Sequence, residues 1–196
     1  MFKYSFFIVL MSLLMVNANA NMSDIGPSGR TYNTPYTYDK GKTINKAFLN
    51  AINQMRSKPR NCGKYGVCKA TVPLKWSDKL HRAASEHARD MAKYSLTHHA
   101  GSGKSTDVTG RKIGRASKAS ERGKHHGYTY KKAFAFAENV GAGQKNLNEV
   151  VKAWMKSPGH CVNIMSPKFR EMALSKADNK GSYYKTFWTL DLGYRR

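Results

Sequence analysis

The apolar residues of this chain fall first into helical stripes and later into strand-like runs. Ile44, Phe48, Ala51, Ile52 and Met55 recur at the spacing of an amphipathic helix. Thr43 suits its N-cap and Pro59 stops it, so a first helix is expected over about 43–57. A second stripe is clearer: Leu80, Ala83, Ala84, His87, Ala88, Met91 and Ala92, with Ser77 placed as cap and Trp76 packed against the start. His87 lies on that stripe, where a hydrogen-bonded core histidine is the expected role. Phe134–Val140 reads as a strand with Phe134, Phe136 and Glu138 on one side. Leu147, Val150, Val151, Trp154 and Met155 form a third helical stripe that Asn148 can cap. Ser157 and Pro158 suit the N-cap and first position of another helix. Met172–Ala177 and Tyr183–Gly193 read as the last strands, joined in a hairpin around Asp178–Ser182. Helices first, then few strands mixed with helix, predict an α+β fold with a small antiparallel sheet flanked by helices.

Three stretches fall outside this pattern. Lys3 followed by the uncharged apolar run Tyr4–Val16 and the small residues Ala18-Asn19-Ala20 reads as a secretory signal over residues 1–20. The run is shorter than the roughly 20 residues a permanent span requires, and no later stretch is long and apolar enough, so no transmembrane anchor is expected. Residues 21–42 are rich in Gly, Pro, Ser, Thr, Asn and Tyr, and read as a flexible arm. The remainder, 43–196, has the size of one domain. Within it, a polar segment at about 102–132 carries nine Lys/Arg from Lys104 to Lys132 against only Asp107 and Glu121. A solvated surface loop, with at most a short helix near 110–119, is expected there.

Charge extends the picture to partners. The chain carries 34 Lys+Arg against 12 Asp+Glu, a formal net charge of +22. That balance predicts attraction to anionic surfaces: lipid headgroups, cell-wall polymer or acidic polysaccharide. No reader motif for a specific nucleic acid is present. Three cysteines, Cys62, Cys68 and Cys161, leave one thiol over after a pair oxidises outside the cytosol. Spacing alone leaves both Cys62–Cys68 and Cys62–Cys161 open.

The chain has no GxSxG elbow, HExxH helix, phosphate-cradling glycine loop or CxxC pair. Glu138 is the most informative candidate, because it interrupts the otherwise apolar 133–140 and a glutamate there needs a partner. It reads equally as a structural group capping backbone amides and as a working residue. His160 sits in the first turn of the helix begun by Ser157, where the positive helix end favours the neutral ring that ligates metal or accepts a proton. His98 and His99 follow the second helix and precede a glycine-rich loop.

Several runs together resemble a known family: "FLNAINQMRSKPRNCG", "PLKWSDKLHRAASEHARDMA", "HHAGSG" at 98–103, "AENVGAGQ" at 137–144, "VVKAWMKSPGHCVNIM" at 150–165, "FREMALSKA" at 169–177 and "YYKTFWTLDLGY". They resemble a bacterial CAP (SCP-like) domain, of the superfamily that includes cysteine-rich secretory proteins, venom allergens and plant pathogenesis-related proteins. The resemblance covers roughly Thr43–Tyr194. It implies an α-β-α sandwich and a cleft lined by two histidines and two acidic residues, which in some members holds a divalent metal such as zinc. Carried over, it names His99, Glu138 and His160 as cleft residues, with His99 and His160 as metal ligands. Where many eukaryotic members have a glutamate after the helix Trp, Ser157 stands here, and Glu171 is the substitute candidate. Ala137 and Ala173 stand where glycines are usual. The "NCG" and "HC" pieces imply a Cys62–Cys161 disulfide with Cys68 left over.

Three functions follow as expectations. The first is a secreted module, periplasmic or extracellular, whose cleft binds a divalent metal or small ligand, a small lipid included. The second is a metal-dependent or acid/base hydrolase acting on extracellular peptide or cell-wall material; no dependable nucleophile is visible, and binding is preferred to catalysis. The third is an electrostatic binding module for anionic surfaces.

Overall fold

The computed structural model describes residues 38–129 and 134–195. The expected signal and all but the last five residues of the expected arm lie outside the described residues. Those five belong to the first helix, α1 (Tyr38–Arg56), which starts earlier than its apolar stripe suggests. Its far end is held by Arg56, fully buried, whose guanidinium donates to the carbonyls of Val72, Ile164 and Ser166. A buried guanidinium requires such a set of acceptors. The chain then makes a small hairpin, β1 (Arg60–Asn61) and β2 (Val67–Cys68), before β3 (Lys75–Trp76).

Helix α2 (Asp78–Tyr94) is capped as expected, the Ser77 hydroxyl accepting from the amide of Leu80, and Trp76 Nε1 donates to Asp78 beside it. The expected strands appear as β4 (Phe134–Ala142), β5 (Glu171–Asp178) and β6 (Thr186–Arg195). They form one sheet in the order β3-β5-β6-β4. The β5–β6 hairpin and the β4–β6 pair are antiparallel, whereas the two-residue β3 runs parallel to β5, so the sheet is not antiparallel throughout. Helix α5 (Leu147–Lys156) takes Asn146 rather than Asn148 as its cap, and α6 (Pro158–Met165) starts with Ser157 as cap and Pro158 in its first turn.

Strand alternation assigns each face its helices. Ala173, Ala177 and Phe187 meet Leu80, Ala88 and Met91 of α2 on one face. Met172, Leu174, Trp188, Leu190 and Leu192 meet Ile52, Trp154 and Ile164 of α1, α5 and α6 on the other. The result is the expected three-layer α-β-α sandwich. The disulfide Cys62–Cys161 joins the small hairpin to α6 across 99 positions of sequence, and Cys68 is a free cysteine.

The basic segment departs from expectation. It is no solvated loop: it folds into α3 (Val108–Ile113) and α4 (Ala119–His125) and docks on α2. Acidic side chains fix it in place. Glu86 accepts from the amide and hydroxyl of Thr109 and from His126; Asp90 accepts from Ser102 and Thr106; Asp107 accepts from the amides of Gly103, Gly110 and Ser117. All three carboxylates are buried, which they tolerate because each has several donors. A further anchor is Tyr128, whose ring lies on Gly193 where no β-carbon would fit.

Candidate functional site

The site assembles at β4, an edge strand of the main sheet. Glu138 and Asn139 are consecutive and therefore point to opposite faces of it. Asn139 is buried; its amide donates to the backbone carbonyl of His160 at 3.1 Å, and its side-chain oxygen accepts from Asn163 at 2.9 Å. This locks α6 against β4 with His160 near the strand. Glu138 faces the α2 side, where its Oε1 accepts from His99 Nδ1 at 2.9 Å. Glu138 thus carries His99 on the α2 side of β4, while Asn139 holds the His160 backbone on the other side, and the charge of His99 still reaches the His160 ring.

Beneath this edge lies a group that sequence reasoning missed. Arg122 of α4, fully buried, donates from Nη2 to Glu138 Oε2 at 2.8 Å and to the carbonyl of His99 at 2.9 Å. Its Nη1 donates to the carbonyl and hydroxyl of Ser117. One guanidinium therefore holds both Glu138 and the loop that carries His99. His87 is the other hidden neighbour: its Nε2 donates to the carbonyl of His98 at 3.0 Å and lies 3.8 Å from Glu138 Oε1. Burial lowers the His87 ring to about 4 against the pull of Glu138, so it is neutral at neutral pH. Its Nδ1 has no hydrogen-bond partner.

Asp191 is the second acidic residue here. It pairs across β6 with Glu138, shares its face, and is buried with Oδ1 unpartnered. Two adjacent buried carboxyls cannot both ionise cheaply. Burial, and then the charge of Glu138, push Asp191 well above the ordinary aspartate range. Burial would raise Glu138 as well, but the hydrogen bond from His99 and the charge of Arg122 outweigh it and hold Glu138 below the usual glutamate range. Of the two carboxyls, Glu138 is the one favoured to carry the charge and Asp191 the one favoured to hold a proton.

An ionised carboxylate only accepts, so His99 Nδ1 carries the hydrogen and Nε2 is turned outward. The His99 side chain is 57% exposed against 2% for Glu138, so the ring is the part of this unit an incoming molecule meets. His160 is half-buried; burial first, then the charge of His99, lowers its pKa. Glu171 is placed apart. It lies on β5, where it accepts from Tyr128 at 2.7 Å and pairs with Arg195.

Residues 49–192 match the pattern of a family described as CAP: Cysteine-rich secretory protein family. The chain belongs to that family. Two bacterial proteins of known structure share the fold. The extracellular protein containing an SCP domain from Bacillus anthracis str. Ames superposes with a TM-score of 0.54 at 20% identity, over 83% of this chain and 45% of that one. An outer surface protein from Borrelia burgdorferi gives 0.53 at 16% identity, over 82% of this chain and 96% of that one. Among curated proteins, the uncharacterized protein YkwD of Bacillus subtilis (strain 168) is 39% identical over 64 residues, covering 33% of this chain and 24% of that relative. This CAP domain thus spans less than half the length of either Bacillus protein.

The family's cleft metal can be tested against the donors present. Among the described residues no three His, Cys, Asp or Glu side chains converge as a metal-binding group. Both Glu138 oxygens are engaged by Arg122 and His99, so the carboxylate orients a histidine instead of offering a ligand. A resident ion with three protein ligands does not fit this arrangement.

Among the described residues, no helix is long and apolar enough to cross a membrane.

Proposed function

We propose that this CAP domain works outside the cytoplasm and uses the β4 edge to bind a ligand, with His99 and His160 as the groups that meet it. One observation carries this reading: Glu138 is buried, ionised and tied at both oxygens, with the exposed His99 ring mounted on it. A carboxylate–imidazole pair of this kind fixes the ring's tautomer and aims its free nitrogen. The ligand class is a small polar molecule or a labile divalent cation that would take two imidazoles and keep water in its remaining positions. Export is supported by the two superposed bacterial proteins, an extracellular protein in one case and an outer surface protein in the other, together with the signal-like first 20 residues. The net charge of +22 supports an anionic partner for the surface as a whole.

Glu138 as general base and Cys161 as nucleophile are both disfavoured, for specific reasons. A general base needs a pKa near the working pH. Glu138 is held far below that by Arg122 and His99, and Cys161 is in the disulfide. Calorimetric titration with zinc tests the reading on the parent protein beside His99→Ala and His160→Ala. The expected outcome is a weak, saturable heat in the parent that either substitution removes. Equal heats from all three proteins would contradict it.

A further inference from the structure

The small hairpin of β1 and β2 presents an unusual combination. Tyr65 is 52% exposed and Val67 68% exposed, and five residues later Val72 is 49% exposed. Tyr65 and Val67 lie two residues apart at the turn of the hairpin, so both open apolar surface at its tip. Lys58, Lys64 and Lys69, all exposed, flank them, and Lys64 lies over the Tyr65 ring at 5.3 Å. The sequence has no Asp or Glu from position 40 to position 77, so these lysines have no acidic neighbour along the chain. The tip is tied to the fold, because the adjacent Cys62 is bridged to α6, and Gly63 and Gly66 allow the turn its positive φ of 61° and 72°.

We infer that this hairpin is a docking tip for an anionic lipid surface. Apolar tips surrounded by lysines match the interface of a bilayer, where Tyr and Val enter the headgroup boundary and the ammonium groups remain at the phosphates. A soluble acidic polymer would use the lysines but give Tyr65 and Val67 no apolar phase to enter. The inference deepens the anionic-partner reading by naming the partner and the surface, and it is independent of the His99 cleft.

Co-sedimentation with vesicles tests it, using 1:1 phosphatidylglycerol:phosphatidylcholine beside pure phosphatidylcholine. The parent protein is expected to bind the anionic vesicles and not the neutral ones. The double variant Tyr65→Ser/Val67→Ser keeps every charge, and it is expected to lose binding by about tenfold or more, the scale of withdrawing two apolar side chains from burial. Lys64→Glu/Lys69→Glu should lose at least as much, at about fivefold per charge near the surface. Tyr183→Ser, at a tyrosine 91% exposed elsewhere, should bind like the parent. His99→Ala should also bind like the parent, which separates this surface from the cleft. Two results would overturn the inference: an unchanged Tyr65→Ser/Val67→Ser variant, or a parent that ignores the anionic vesicles. A parent that binds dextran sulfate but not those vesicles overturns the lipid proposal while leaving the anionic-partner reading in place.

Discussion

Arg122 is the residue on which the site turns. It compensates Glu138, and removing one partner of a buried pair leaves the other charge stranded, typically at a cost of about 3–5 kcal/mol. Arg122→Met should therefore destabilise the protein by that order in denaturant unfolding, and Glu138→Gln in the same chain should recover part of the loss. If the double variant is as unstable as the sum of the singles, the two groups are not coupled. Asp191 gives a prediction of opposite sign. Its folded pKa is raised, so the native state binds more protons than the unfolded chain above the ordinary aspartate value, and stability falls as pH rises through that range. Asn mimics the protonated acid, so Asp191→Asn should be more stable than the parent at pH 7, with the gap closing toward about pH 4. His87 titrates in the acid direction. With its folded pKa near 4 against the ordinary 6.5, the unfolded chain binds the extra proton, and stability is lost as pH falls through that window. His87→Gln, which keeps a donor for the His98 carbonyl, should flatten that acid limb, whose full depth is about 3 kcal/mol. Melting curves between pH 4 and 7 check both substitutions. Only part of this residue-level picture was legible beforehand. Glu138, His99 and His160 stood out through motif resemblance and through a charge amid apolar neighbours. Arg122 did not, because one more arginine in a basic run looks like surface.

At the scale of elements, the stripes of α2 and α5 were legible because each helix buries one face, and burial imposes a period; α6 showed through its Ser157-Pro158 start, and β5 and β6, covered on both faces, showed as apolar runs. The start of α1 was not. Its first turns lie beyond the apolar stripe, so no such period marks residues 38–42. The docked α3–α4 segment was hidden for another reason: it is held by polar contacts to Glu86, Asp90 and Asp107, which leave no hydrophobic periodicity. The signal available was the pair of acids on α2, one turn apart in a chain with few acids. The disulfide adds a prediction at this scale. Cys62–Cys161 closes a loop of about a hundred residues, for which chain entropy suggests stabilisation of roughly 4–5 kcal/mol at most, and 2–4 is typical. Cys62→Ala/Cys161→Ala should lose stability on that scale. Because Cys161 adjoins His160 in α6, it should also weaken zinc binding. A loss confined to stability would show that the bridge does not position the cleft.

For the whole molecule, the family resemblance implied the three-layer sandwich, and the structure has it. A net charge of +22 over 196 residues brings self-repulsion that opposes the compact state and that salt screens. Raising sodium chloride from low concentration to about 0.15 M, where screening acts within about 8 Å, should increase the melting temperature. Everything proposed for the cleft depends on Glu138 and Arg122 holding His99 with one particular nitrogen outward, facing a ligand it shares with His160. A histidine-ring ¹⁵N–¹H correlation spectrum recorded through a zinc titration reads that arrangement without intermediaries. The Nδ1–H tautomer is expected for His99, with zinc-dependent shifts at His99 Nε2 and His160 alone. An Nε2–H tautomer at His99, or shifts spread over His98, His125 and His126 while His160 stays still, would rule the arrangement out.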